Sequence, residues 1–295
     1  MTRTVLITGA SSGIGLASAI AAAHAGWTTI ATVRERARAA ALHSAGVPLD
    51  IVALELTDPT SIADCMKSIM DRHGRLDALV NNAGVAGTNP TCELSDMAHL
   101  RATMEVNFFG VVAMSRAALP HLRASHGRLI TISSVRGVIG QPFNEGYSAA
   151  KFAVEGFMEG LAPVAARVGV AVSLIEPAAV LDTRFVDSSP DDVATMLDPG
   201  TPYEPAFRAY RRWVRTGAVE GAQCARDVAD VVVRTLAADR PPFRIQTSEY
   251  GRRYVSRKLA DPDGSLVQAL TSGWISEEGG PREPPSSNGC GQPGA

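Results

Sequence analysis

The sequence predicts an α/β fold: a doubly wound parallel sheet in three α/β/α layers, folded as a single domain. Short apolar runs alternate with helix-like stretches over the first 176 residues or so. A glycine-rich turn, TGASSGIG, follows the first apolar run directly. Residues of unusual chemistry sit at the ends of the apolar runs, where open α/β sheets hold their ligands.

The elements follow in order. TVLIT (4–8) is a short apolar run halted by glycine, as a buried strand is. GIGLASAIAAAHAG (13–26) is alanine-rich and reads as helix closing at Gly26, and WTTIATV (27–33) is β-branched and reads as strand. A helical stretch through ERARAAALHSAG leads to a third strand, DIVALEL (50–56). DPTSIADCMKSIMDRHG (58–74) has Pro59 at its start and Gly74 at its end, the expected asymmetry of a helix. A strand and its exit follow (LDALVNNAG, 76–84), then a long helix over about 94–125 and a strand GRLITISS (127–134). A helix from about 145 to 168 and a strand VAVSLIE (170–176) complete the alternation. Parallel strands with right-handed crossovers make this a Rossmann-like sheet.

Beyond about 185 the pattern loosens. SSPDDVATMLDPGTPYEPAF reads as loop with short helices, CARDVADVVVRTLAAD (224–239) as an amphipathic helix, and FRIQT as a short strand. Residues 277–295 are rich in Gly, Pro and Ser and read as a disordered tail. One domain over 1–276 is expected, with 185–225 covering the substrate.

Composition excludes several classes. Of 295 residues 45% are hydrophobic and 20% charged, and the net charge of -2 suggests neither nucleic acid nor an anionic membrane as partner. The four cysteines form no C-x-x-C pair and the six histidines no ligand-like cluster, so neither disulfides nor a metal is expected. No charged-then-apolar leader opens the chain, and no apolar run reaches the roughly 18 residues that cross a bilayer. A soluble cytoplasmic protein acting on a small molecule is expected.

Gly9, Gly13 and Gly15 give a G-x-x-x-G-x-G turn from the first strand into the first helix. Gly9, Ser11, Ser12, Gly13, Ile14 and Gly15 are therefore the expected pyrophosphate loop, with helix amides and dipole aimed at the anion. Arg34 rather than a carboxylate follows the second strand, favouring the 2′-phosphate of NADP(H) over the free ribose of NAD(H), although Glu35 is adjacent. Tyr147 and Lys151 lie four residues apart and share a helical face. A neighbouring ammonium would bring a phenol, with a pKa of about 10, towards the range where it can exchange protons. Ser134 ends its strand 13 residues earlier, placed to orient a substrate oxygen, and Asn107 interrupts a helical pattern as a kink would. Arg136 and Phe143, between Ser134 and Tyr147, are further candidates for substrate contact, and Arg136 suits a polar or anionic group.

Together, TGxxxGIG (8–15), NNAG (81–84), Asn107, Ser134 and YSAAK (147–151) resemble the short-chain dehydrogenase/reductase superfamily. GQPFNEGYSAAKFAVEGFMEGLA, VSLIEP and FRIQTSEYGRRYVSRKLADPDGS look like its estradiol 17β-dehydrogenase type 1 and retinol dehydrogenase branch. The resemblance implies an NADP(H)-dependent alcohol dehydrogenase or ketone reductase for a bulky apolar molecule, steroid-, retinoid- or polyketide-like. It makes Tyr147 the acid/base of a tetrad with Ser134, Lys151 and Asn107, the last through a water relay. It also places Asn82, Ala83 and Gly84 along the adenosine, Glu55 and Leu56 near the adenine, and Val180 and Thr183 near the nicotinamide. Two departures stand out: Ala178 occupies a position usually held by glycine, and Thr183 comes one residue late. A homodimer or homotetramer is expected. A redox-silent dinucleotide sensor and an NAD-dependent epimerase or dehydratase are the rival readings.

Overall fold

A pleated strand sends successive side chains to opposite faces, and in this chain both faces are buried. Leu6, Ile30, Leu79, Leu129 and Leu174 enter one apolar cluster, while Val5, Ile7, Ala31, Val80, Ile130 and Ile175 enter another. The computed structural model describes residues 2–87, 90–183, 197, 200–217, 221–260, 263, 266 and 273.

The seven strands are β1 (Thr4–Ile7), β2 (Thr28–Val33), β3 (Asp50–Ala53), β4 (Ala78–Asn81), β5 (Arg128–Ile132), β6 (Ala171–Glu176) and β7 (Arg244–Gln246). They form one sheet in the order β3-β2-β1-β4-β5-β6-β7, and every neighbouring pair is parallel. The helices are α1 (Gly13–His24), α2 (Ala40–His43), α3 (Pro59–His73), α4 (Met97–Met104), α5 (Gly110–Ser125), α6 (Glu145–Ala166), α7 (Glu204–Gly217), α8 (Ala225–Ala237) and α9 (Glu249–Leu259). Helices α3, α5 and α6 close the Leu6 face, and α1 and α8 close the opposite one. The direction of winding reverses between β1 and β4, so the loops leaving those strands part and open a crevice at the carboxyl edge.

Local chemistry explains the element ends. Asp58 caps α3 by accepting from the Thr60 amide at 2.8 Å, and Gly74 ends it in the left-handed region at φ 67°. The expected helix over 94–125 is divided into α4, a π turn (Glu105–Phe109) and α5, the kink that Asn107 suggested. Arg36–Ala39 forms a 3-10 turn leading into only one turn of α-helix, where a longer helix was expected. Segments expected as loop with short helices include the longer α7, and α9 follows the last strand. Phe207 and Tyr210 of α7 and Tyr254 and Val255 of α9 share a third buried cluster with Val135, Ile139 and Phe143. Val111 and Val154 lie inside the core. Among the described residues no helix is long and apolar enough to cross a membrane, and no group of His, Cys, Asp and Glu could hold a metal.

Of the expected substrate cover, residues 185–196, 198–199 and 218–220 lie outside the described residues, as does the expected tail (277–295).

Candidate active site

The glycine turn is built so that backbone comes close to backbone. Gly9 has φ 67°, and a Cβ there would stand 2.7 Å from Ala83 Cα. Gly13 has φ 55°, and its Cβ would meet Thr183 Cγ2 at 3.1 Å. Thr8 Oγ1 accepts from the amides of both Asn82 and Ala83 at 3.0 Å, and Asn82 Nδ2 donates to the carbonyls of Thr8 (2.9 Å) and Gly9 (3.1 Å). The loops after β1 and β4 are thereby stitched together.

The start of α1 fits a dinucleotide pyrophosphate. Ser12 is its N-cap, yet the hydroxyl caps no helix amide, and the first turn holds no acidic residue. The amides and the positive end of the helix dipole are left for an anion. At the end of β2, exposed Arg34 forms no ion pair among the described residues, while Glu35 turns to Arg38 at 3.7 Å. Beyond β3, Glu55 Oε1 accepts from the amide and the hydroxyl of Thr57, at 3.1 and 2.9 Å. Leu56 is buried against Gly110.

Asn107 is wholly buried in the π turn, and its amide group clamps Val85 in both directions, each bond 3.0 Å long. Its side chain thus fixes the exit of β4 and is committed there. A Cβ on Gly84 would come within 2.7 Å of Asn107 Oδ1, so glycine is needed for this close approach.

Tyr147 lies in the first turn of α6 and is 6% exposed. It shares a hydrogen bond with Ser134 at the end of β5. Burial drives the phenol pKa up, while the Arg136 cation and the Ser134 hydrogen bond pull it down. Lys151 Nζ stands 5.7 Å from the Tyr147 ring centre and donates to the Ile132 carbonyl at 2.9 Å. Burial brings its pKa down to about 8, against the pull of the Glu155 carboxylate one turn further along α6.

Glu155 belongs to a partly buried charge cluster behind the lysine. Arg244 Nε donates to Glu155 Oε2 at 2.9 Å and lies 3.6 Å from Glu176 Oε1, while its Nη2 donates to Glu159 at 2.6 Å. On the other side of Tyr147, Arg136 Cζ lies 5.7 Å from the ring centre. Its Nη1 donates to Asn144 Oδ1 at 3.0 Å, and Asn144 Nδ2 donates to the Tyr210 hydroxyl at 2.7 Å. Phe143 adopts φ 57°, a conformation costing a bulky residue about 1–3 kcal/mol. Its ring is held against Phe207 and Tyr210, at centroid distances of 5.0 and 5.6 Å.

The sequence candidates therefore gather in two groups at one sheet edge. Gly9, Ser11, Ser12, Gly13, Ile14, Gly15, Asn82, Ala83, Gly84 and Thr183 surround the glycine turn, and Ser134, Arg136, Phe143, Tyr147 and Lys151 surround the phenol. Val180 pairs with Gln223 in an isolated parallel bridge. Sequence reasoning missed Asn144, whose place before a helix suggests a cap but whose side chain instead holds Arg136 and Tyr210. It also missed Glu155, although the spacing of one turn beyond Lys151 on the same face was there to read.

With this geometry in view, comparison with known proteins is informative. The pattern of the short chain dehydrogenase family matches residues 3–194. Retinol dehydrogenase 8 of Bos taurus is 37% identical over 278 residues, covering 90% of this chain and 87% of that protein. Human 17-beta-hydroxysteroid dehydrogenase type 1 is 36% identical over 282 residues, covering 90% and 84% respectively. The crystal structure of a short-chain dehydrogenase from Streptomyces avermitilis superposes with a TM-score of 0.74 at 27% identity, over 92% of this chain and 97% of that one.

Proposed function

Since the chain belongs to the short chain dehydrogenase family, in a branch with retinol dehydrogenase 8 and 17-beta-hydroxysteroid dehydrogenase type 1, we propose that this oxidoreductase interconverts an alcohol and a carbonyl on a bulky, largely apolar molecule with NADP(H). The observation that carries the reading is the convergence of Ser134, Tyr147 and Lys151 on the sheet edge that also bears the uncapped glycine turn.

When bound, the reduced dinucleotide supplies two electrons as hydride; the chain supplies the rest. Gly9, Ser11, Ser12, Gly13, Ile14 and Gly15 hold the pyrophosphate, and Arg34 grips the 2′-phosphate with a fork of donors. Glu55, Leu56, Asn82, Ala83 and Gly84 line the adenosine side, and Val180 and Thr183 the nicotinamide side. Ser134 donates to the carbonyl oxygen as negative charge develops there. Tyr147 transfers its phenolic proton to that oxygen, and Lys151 stabilises the phenolate left behind. Asn107, its side chain committed to Val85, serves the proton relay through its main-chain carbonyl. In the oxidative direction the same groups act in reverse. Val138, Trp213 and Val214, partly exposed at the edge of the third cluster, receive the apolar body. Phe109, Phe152 and Phe157, exposed on neighbouring helical turns, are the faces through which a homodimer or homotetramer would form.

Titration of the protein with NADPH and NADH, followed by nicotinamide fluorescence, tests the cofactor. We expect NADPH to bind at least about tenfold more tightly, and Arg34→Ala to remove the difference. Equal affinities in the native protein would refute NADP selectivity. Tyr147→Phe should bind NADPH normally yet lose about 10²-fold or more in kcat on any carbonyl that the native enzyme reduces. Retained turnover would exclude Tyr147 as the proton donor.

A further inference from the structure

Among the described residues, Arg136 is a half-buried cation with no carboxylate beside it. Arg75 and Arg244, also partly buried, each have counter-ions, Asp77 for the first and Glu155 with Glu159 for the second. Around Arg136 stand phenols and amides instead. Its Nη1 donates to Asn144 Oδ1, and Asn144, itself buried, is anchored by donating to the Pro142 carbonyl (3.2 Å) and the Tyr210 hydroxyl (2.7 Å). Gln141 completes the support, accepting from the Tyr210 hydroxyl at 3.4 Å and donating to the Tyr254 hydroxyl at 3.3 Å. Glu145, the acidic residue next to Asn144 in the chain, is exposed and accepts from the Phe143 amide and the Thr91 hydroxyl. Among the described residues Arg136 makes no ion pair.

A guanidinium cannot shed its charge by losing a proton, and a partly buried one gains from pairing with an anion through charge-assisted hydrogen bonds. The scaffold holds the group in a fixed orientation and engages only one of its two terminal nitrogens. It does so beside the phenol where the reacting oxygen must sit, with Cζ 5.7 Å from the ring centre.

We infer that the missing counter-ion is supplied by the substrate, which carries a carboxylate on the carbon next to the reacting centre or one carbon further along. The remaining guanidinium edge matches the two oxygens and single charge of a carboxylate. The substrate is then an amphipathic 2- or 3-hydroxy acid, or the corresponding oxo acid, with its apolar chain towards Val138, Trp213 and Val214. This rests on the oxidoreductase reading for the position of the reacting oxygen. The reaction balances as hydroxy acid plus NADP+ giving oxo acid plus NADPH and one proton, with the carboxylate unchanged.

The test compares 2- and 3-hydroxyoctanoate with their methyl esters, which keep the carbon chain and remove the charge. Two quantities are read: kcat/KM with NADP+, and affinity measured by calorimetry on the NADP+-loaded Tyr147→Phe protein, where no turnover interferes. We expect one acid to exceed its ester by about tenfold or more in both. The ratio should fall to near one in Arg136→Gln and be partly kept in Arg136→Lys, with NADPH titration reporting that each variant is folded. Equal values for acids and esters in the native protein, or a preference that survives Arg136→Gln, would overturn the inference. Esters oxidised well and acids poorly would also overturn it while leaving the oxidoreductase reading intact. If nothing is oxidised the oxidoreductase reading is in question, and calorimetry still decides, because acids binding no better than esters refutes the anion site. An equal fall in kcat for acid and ester in Arg136→Gln, with no change in their ratio, would assign the guanidinium to tuning the phenol and overturn substrate pairing.

Discussion

Burial works against charge on both members of the Tyr147–Lys151 pair, pushing the phenol up and the ammonium down to about 8. Separate neighbours oppose it: Arg136 and Ser134 favour the phenolate, and Glu155 favours the protonated lysine. The lysine cation is therefore present below pH 8 and lost above it, and with it would go the stabilisation of phenolate on which the proposed proton transfer depends. Removing the Glu155 charge leaves desolvation less opposed, so the Lys151 pKa must fall further. Glu155→Gln should accordingly begin its alkaline loss of kcat at lower pH than the native enzyme, measured from pH 6 to 10 on one carbonyl substrate. An unmoved alkaline limb, with activity merely scaled down, would mean that Glu155 acts only through its bond to Arg244. Tyr147 and Lys151 were legible because one helical turn is a fixed spacing. Asn144 was not, because a sequence cannot say whether a polar residue before a helix caps it or reaches across a loop to Arg136.

At the level of elements, strands and helices were legible wherever period and punctuation agreed, as at Asp58, Pro59 and Gly74 around α3. The π turn at Asn107 was readable as a kink, since asparagine fits a helix interior poorly. Helices α7 and α9 were harder to read, because arginines interleave with Phe207, Tyr210 and Tyr254 and their buried faces appear only once the third cluster is assembled. A second feature that only the assembled structure reveals is the wholly buried Glu176 at the end of β6, which accepts from Gln246 Nε2 at 2.9 Å. Burial pushes its carboxyl up to about 7, with Glu155 adding to the rise and Gln246 and Arg244 opposing it. An acid whose folded pKa exceeds its unfolded value of 4.5 keeps its proton on folding and destabilises the fold once it ionises. Stability attributable to it therefore falls as pH rises from 4.5 to 7. Glu176→Gln keeps an acceptor for Gln246 and removes the charge. It should be close to native in stability at pH 4.5 and more stable than native at pH 8, by up to about 3 kcal/mol at about 1.4 kcal/mol per pKa unit. Urea unfolding at the two pH values measures this, and a variant weaker than native at pH 8 would show that pairing with Arg244 outweighs the cost of burial.

Across the whole molecule, the sheet draws together segments remote in sequence: the glycine turn at 9–15, Asn82–Gly84, Ser134, Tyr147 and Thr183. The alternation of elements made the parallel sheet legible, and the carboxyl-edge rule then pointed to the edge where the candidate residues gather. What the alternation could not convey was how closely those segments touch, such as Thr8 and Asn82 joined across the crevice or Thr183 resting against Gly13. A ligand that binds such a composite site must stabilise the fold as a whole, because unfolding any contributing segment releases it. At a hundredfold excess over Kd, NADPH should add about 2.7 kcal/mol. At roughly 2–4 °C per kcal/mol for a large domain, Tm should rise by roughly 5–10 °C. Gly13→Ala separates this linkage from stability itself. Its methyl group would meet Thr183 Cγ2 at 3.1 Å on a backbone of φ 55°, so the variant should melt lower by the equivalent of about 1–2 kcal/mol through left-handed strain alone. Because that same distortion displaces the amides proposed to hold the pyrophosphate, NADPH should then raise its Tm by only a small fraction of the native shift. If Gly13→Ala melted lower yet gained the full increment from NADPH, the dinucleotide would have to be held elsewhere than at the start of α1.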